Sequence, residues 1–204
     1  MQQQGSAIVH HSVREPTNLP STPGGWRHLF WLTLLVGASV AFSLGLACAT
    51  PLAAFGAVAA LTLSRQDAVF LILAVWLANQ LVGFTVLNYP WTANTFAWGA
   101  ALGAVAILAT LAGQWTAGRS ADAARAVGFT ATFLTAFATY EAALFAISIA
   151  LLGGTEVFTG AIQGQIFAIN AAAFIGLLVL NRLAVSVGLV SNPPVVLSMT
   201  ERHA

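Results

Sequence analysis

The chain reads as an all-α polytopic membrane protein, a bundle of six transmembrane helices with both termini cytoplasmic. Three observations predict this. Of 204 residues, 58% are hydrophobic and only 6% charged, whereas a soluble domain carries about 25% charged residues to solvate its surface. The apolar residues fall into six runs separated by short polar or proline-bearing connections. The seven basic residues are all arginines, and their order along the chain puts every one of them on the same side of a six-span bundle.

Composition also excludes several chemistries. A net charge of +1 gives no footprint for nucleic acid. Cys48 is the only cysteine, so neither an internal disulfide nor a cysteine-based metal site is expected. His10, His11, His28 and His203 all lie outside the apolar runs, which argues against an intramembrane haem or metal, and no cofactor is expected. No GxSxG, HExxH or phosphate-cradling loop occurs. The protein is therefore not expected to be an enzyme, and active transport would need an energy-supplying partner.

Residues 1–25 are polar and carry Pro16, Pro20 and Pro23; they read as a disordered cytoplasmic arm. Residues 26–190 form the transmembrane domain and 191–204 a cytoplasmic tail. Trp26, Arg27 and His28 mark a membrane interface. The first span covers residues 29–49, with Gly37, Ala41, Gly45 and Ala49 at every fourth position. Such spacing makes a smooth strip on one helix face, suited either to close packing within the bundle or to docking of a separate protein. Thr50-Pro51 reads as an N-cap followed by proline at the first helical position. The second run, 51–64, is short: at ~1.5 Å per residue it covers roughly 21 Å of a ~30 Å hydrocarbon core.

The third span is 68–87, the turn 87–92 follows, and the fourth span is 92–113, with Thr95, Gly99 and Gly103 on one close-packing stripe. A polar connection leads to a fifth span at 126–152 and a sixth at 160–180. Arg14 and Arg27 precede the first span, Arg65 separates the second and third, Arg119 and Arg125 separate the fourth and fifth, and Arg182 and Arg202 follow the sixth. Demoting the short second run would place Arg119 and Arg125 opposite Arg14 and Arg27, so it counts as a span.

Polar groups inside lipid cost free energy unless paired, which makes them functional candidates. The hairpin of spans three and four holds Asn79, Gln80 and Asn94 among Trp76, Tyr89, Trp91 and Trp98, and a ligand is expected to touch it. Span five carries Glu141, about 15 residues or ~22 Å from its inner end. On span six, Gln163, Phe167, Asn170 and Phe174 share one face. By depth, these groups gather in the outer half, while the inner half is apolar. A water channel or proton relay would need polar groups through the whole depth; a closed-bottomed pocket open to the outside shows this asymmetry. No intramembrane arginine or lysine can pair with Glu141. It either keeps its proton as a hydrogen-bonded neutral acid or meets a donor or cation from a ligand. The expected substrate-binding set is Asn79, Gln80, Tyr89, Trp91, Asn94, Trp98, Glu141, Gln163 and Asn170.

Six spans, cytoplasmic termini, the small-residue strip on the first helix and an outward pocket together resemble the substrate-binding S component of energy-coupling-factor vitamin transporters. The resemblance covers all six spans and is one of architecture. That family carries an Ala-x-x-x-Ala pattern on its first helix, met here by the looser series Gly37, Ala41, Gly45 and Ala49. It implies a protein of the bacterial cytoplasmic membrane that binds a vitamin or cofactor precursor and docks on a transmembrane coupling subunit with partner ATPases. An aromatic pocket with one carboxylate would suit a heterocycle with a donor or cationic group. The rival expectation is a non-transporting assembly or scaffold subunit whose polar groups only hold helices together.

Overall fold

The computed structural model describes residues 25–45, 50–120 and 123–190. The predicted arm up to residue 24, Ala49 and the tail from 191 onward lie outside them. Six α-helices follow in order: α1 Gly25–Gly45, α2 Leu52–Thr62, α3 Arg65–Thr85, α4 Ala93–Arg119, α5 Arg125–Ile147 and α6 Gly160–Ser186. A π-helical turn, Ser148–Leu152, prolongs α5, and a 3-10 turn, Thr155–Val157, precedes α6. No strand occurs among the described residues.

Five of the helices, α1, α3, α4, prolonged α5 and α6, are 21 to 28 residues long and apolar enough to cross a membrane. At ~1.5 Å per residue the shortest spans ~31 Å. The second predicted span is different. α2 has 11 residues, so its axis covers only ~16 Å, about half of a ~30 Å hydrocarbon core.

Side-chain capping sets several helix starts. Ser64 accepts from Asp67 N at 3.2 Å and Thr92 from Thr95 N at 3.3 Å, satisfying amides that a helix start leaves free. Thr159 does the same for Ile162 N at 3.4 Å. α2 departs from the sequence reading. Its N-cap position is Pro51, which has no side-chain cap, and Thr50 turns its hydroxyl elsewhere. The first-turn amide of Ala54 donates instead to Asn170 Oδ1 of α6, at 3.2 Å. A proline cannot cap with its side chain, so a neighbouring helix does the work.

α2 is the axis of the bundle. Every residue from Leu52 to Ala60 is buried, because α3, α4, α5 and α6 all pack against it. The run LAAFGAVAALT makes this feasible, since alanines and a glycine let helix backbones approach closely. At Gly56 there is no room for a side chain: a Cβ there would sit 2.7 Å from Thr110 Oγ1 of α4.

One end of the bundle collects the arginines. His28 Nε2 lies 3.5 Å from Asp67 Oδ1, joining the starts of α1 and α3. Arg27 Nη1 donates to Gly188 O at 3.3 Å, tying the start of α1 to the end of α6. Arg65 shares a cavity wall with Gly118, near the end of α4, and α5 begins just after it at Arg125. α1 and α3 therefore both start at the arginine end, and α2 is the segment that brings the chain back to it.

The predicted close-packing stripe on α4 is filled from α3. Trp76 lays its indole against Gly103 and donates from Nε1 to Gly99 O at 2.8 Å, while the Gln80 amide rests over Gly99. The strip on α1 behaves otherwise. Gly37, Ala41 and Gly45 are exposed, and nothing lies within 4 Å of a Cβ built at Gly37 or Gly45. These positions face away from the bundle and pack against none of the described residues.

Candidate functional site

α2 begins halfway along the bundle, and among the described residues no other helix occupies the axis beyond its N-terminus. A cavity of about 560 Å³ occupies that space, at the end away from the arginines. Its walls come from Trp98 on α4, Tyr140, Glu141 and Leu144 on α5, and Gln163, Ile166, Ile169 and Asn170 on α6. Thr50 closes it where α2 begins, and Gly154, Val157 and Phe158 of the α5–α6 connection form its rim. That connection reverses tightly through Gly153 at φ 73° and Gly154 at φ 84°, a backbone region that glycine enters without strain.

Four phenylalanines shut the α5–α6 seam on the arginine side of the cavity. Phe133 stacks on Phe174 with ring centroids 4.8 Å apart and on Phe137 at 6.1 Å. Phe167 meets Phe137 edge-on at 5.1 Å. Phe133, Phe137 and Glu141 are spaced four residues apart on α5, so the same face that carries the carboxylate carries the aromatic stopper two turns deeper.

The cavity is apolar with a few polar groups, the usual make-up of a small-molecule site. Glu141 stands within hydrogen-bonding reach of the Gln163 side chain across the α5–α6 gap. Asn170 is already engaged: Oδ1 takes Ala54 N, and Nδ2 donates to Ile166 O at 3.0 Å. Tyr140 is only 7% exposed, yet its hydroxyl makes no hydrogen bond with the described residues. Two polar groups thus face the space with capacity to spare, Glu141 and Tyr140, beside the indole of Trp98.

Of the nine residues expected at a substrate site, four line the cavity: Trp98, Glu141, Gln163 and Asn170. The other five lie elsewhere. Asn79 is one step behind the wall: its Oδ1 accepts from Thr50 Oγ1 at 2.6 Å and from Ser43 Oγ at 3.0 Å. It joins α1, the start of α2 and α3, as interhelical hydrogen bonds do in lipid. Gln80 packs on Gly99. Tyr89 covers Gly83 and meets Phe84 edge-on, at 6.0 Å between centroids. Trp91, 76% exposed, tilts against Phe84 at 5.1 Å, the position of an interfacial belt residue. Asn94 is exposed in the first turn of α4. The hairpin that was expected to hold the ligand contributes only Trp98 to the cavity.

Sequence reasoning missed Thr50 and the connection residues Gly154, Val157 and Phe158. Thr50 carried a signal, a hydroxyl beside a proline inside an apolar stretch, but it reads first as a helix cap. No group of three or more potential metal ligands occurs among the described residues. Comparison with family models, curated proteins and solved structures finds no match to this chain.

Proposed function

We propose that the protein is a membrane-embedded binding subunit for the uptake of a small organic molecule, of the kind the S components represent. The observation that carries this reading is the cavity beyond the N-terminus of α2, which presents Glu141 and Tyr140 without a basic partner. In this reading the arginine end faces the cytoplasm, α2 serves as the second of six crossings, and the cavity opens outward from a bacterial cytoplasmic membrane. The ligand is a vitamin or cofactor precursor with an aromatic or heterocyclic body and a donor or cationic group, the former against Trp98 and Phe158, the latter toward Glu141. Partner ATPases and a transmembrane coupling subunit energise transport. The scaffold alternative accounts for Asn79, which is spent on helix contacts, but leaves the unfilled cavity and its free hydroxyl without a role.

A thermal-unfolding screen of the purified protein against vitamins and their precursors tests the proposal. A true ligand at about 100 times its dissociation constant stabilises by roughly 2.7 kcal/mol. Absence of any stabilising compound across cationic and neutral heterocycles would favour the scaffold alternative.

The exposed strip on α1 is, in the same reading, the docking face for the coupling subunit. Gly45→Leu adds bulk where nothing lies within 4 Å. The variant is expected to keep its stability to within about 0.5 kcal/mol, as exposed substitutions do. It is also expected to lose co-purification with its coupling subunit. Undiminished complex recovery would remove the strip from the interface.

A further inference from the structure

Glu141 on α5 and Gln163 on α6 meet across one wall of the large cavity, and both are half-buried. Among the described residues no basic side chain lines that cavity, so a cation beside Glu141 has to come from the ligand. A carboxylate that faces a cation is ionised and has no hydrogen to donate. Gln163 can therefore meet it only by donating from Nε2, which leaves Gln163 Oε1 as a second acceptor. Among the described residues the Gln163 side chain has no other partner. Neither side chain holds an unpartnered oxygen or nitrogen sealed from the surface, so both acceptors can be reached from the cavity. The wall thus offers two oxygen acceptors, one from each helix, and a single negative charge.

On the reading of this cavity as a ligand site, we infer that its ligand carries a cation with two or more N–H donors, as a primary ammonium or an amidinium does, and not a quaternary ammonium. One N–H donates to the Glu141 carboxylate and another to Gln163 Oε1. The head of the ligand therefore bridges α5 and α6, and its body extends toward Trp98 and the rim at Phe158. A quaternary ammonium balances the charge of Glu141 but has methyl groups in place of N–H. It would leave both acceptors unpaired in a site whose walls are otherwise largely apolar, where an unmade hydrogen bond costs most. A neutral head such as a carboxamide can donate twice but leaves the charge of Glu141 without a counterpart.

The test uses matched compounds on phenyl, indole and pyrimidine bodies. Each body carries the same short arm, ending in a primary ammonium, a trimethylammonium or a carboxamide. Purified full-length protein in maltoside micelles is titrated with each compound, and affinity is read from the shift in thermal unfolding. On every body that binds, the primary ammonium is expected to bind about tenfold more tightly than either other head, the net worth of one hydrogen bond to a charged group. Gln163→Met keeps the length of the side chain and removes its amide. It is expected to weaken the primary ammonium about tenfold and so to close the gap to the trimethylammonium form. The wild-type comparison stands even where that variant fails to fold. A trimethylammonium form that binds as tightly as the primary one would overturn the assignment of the head group while leaving the cavity a binding site. So would a carboxamide that binds best, or a gap that survives in folded Gln163→Met. Stabilisation by none of the compounds would count against the cavity as a site for an aromatic ligand, and against the head group with it.

Discussion

Glu141→Gln is expected to weaken ligand binding by about 10- to 100-fold, the equivalent of a hydrogen bond to a charged group worth ~1.5–3 kcal/mol. The substitution keeps the volume and the reach to Gln163 and removes only the carboxylate. Glu141 is half-buried and lines the cavity, so removing its charge deprives a cationic or donor group of its partner without opening a hole. Thermal stability of the free protein is expected to stay within about 0.5 kcal/mol of wild type. The check is a titration of the compound identified by the stability screen, run on both proteins. Unchanged affinity with lowered stability would make Glu141 a structural residue.

Gly56→Leu should destabilise the bundle strongly. α2 is enclosed on all sides, and at Gly56 even one added carbon would lie 2.7 Å from Thr110 Oγ1. The Thr110 side chain has little freedom to yield, because it is fully buried and its hydroxyl donates to Ala106 O at 2.8 Å. Overpacking a filled core costs about 1–3 kcal/mol, and an axial helix has no free direction in which to relax. Displacing α2 also withdraws the Ala54 amide from Asn170, which disturbs the floor of the cavity. Thermal unfolding of Gly56→Leu beside Gly45→Leu separates the buried axis from the outward strip. A Gly56→Leu protein as stable as wild type would show that α2 is not confined as described.

The apolar runs and their connections were readable because a lipid-facing helix needs length and apolarity, both of which are written in one dimension. Position along each helix was readable for the same reason: counting from Arg125 places Glu141 on α5, and counting from Gly160 places Asn170 on α6. Direction around the helix was not. In a membrane both the lipid side and the protein side are apolar, so hydrophobic periodicity does not tell them apart. That is why Asn79 and Glu141, at comparable depth, were grouped, although one faces Ser43 and Thr50 and the other the cavity. The same blindness left the α1 strip open between two uses. The shortness of the second run was plain in the sequence. Its consequence was not, because a short helix produces a cavity only if it sits at the axis, and that depends on four neighbours packing together against its small residues.

The most direct measurement is thiol labelling from outside intact cells. Cys48 is the only native cysteine, so a Cys48→Ser background carries no other thiol. Gln163→Cys would then place one thiol in the cavity wall and Gly118→Cys one at the arginine end. An outward-opening cavity predicts that a membrane-impermeant maleimide labels Gln163→Cys in intact cells and Gly118→Cys only after the membrane is permeabilised. Labelling of Gly118→Cys in intact cells, or protection of Gln163→Cys until permeabilisation, would contradict it.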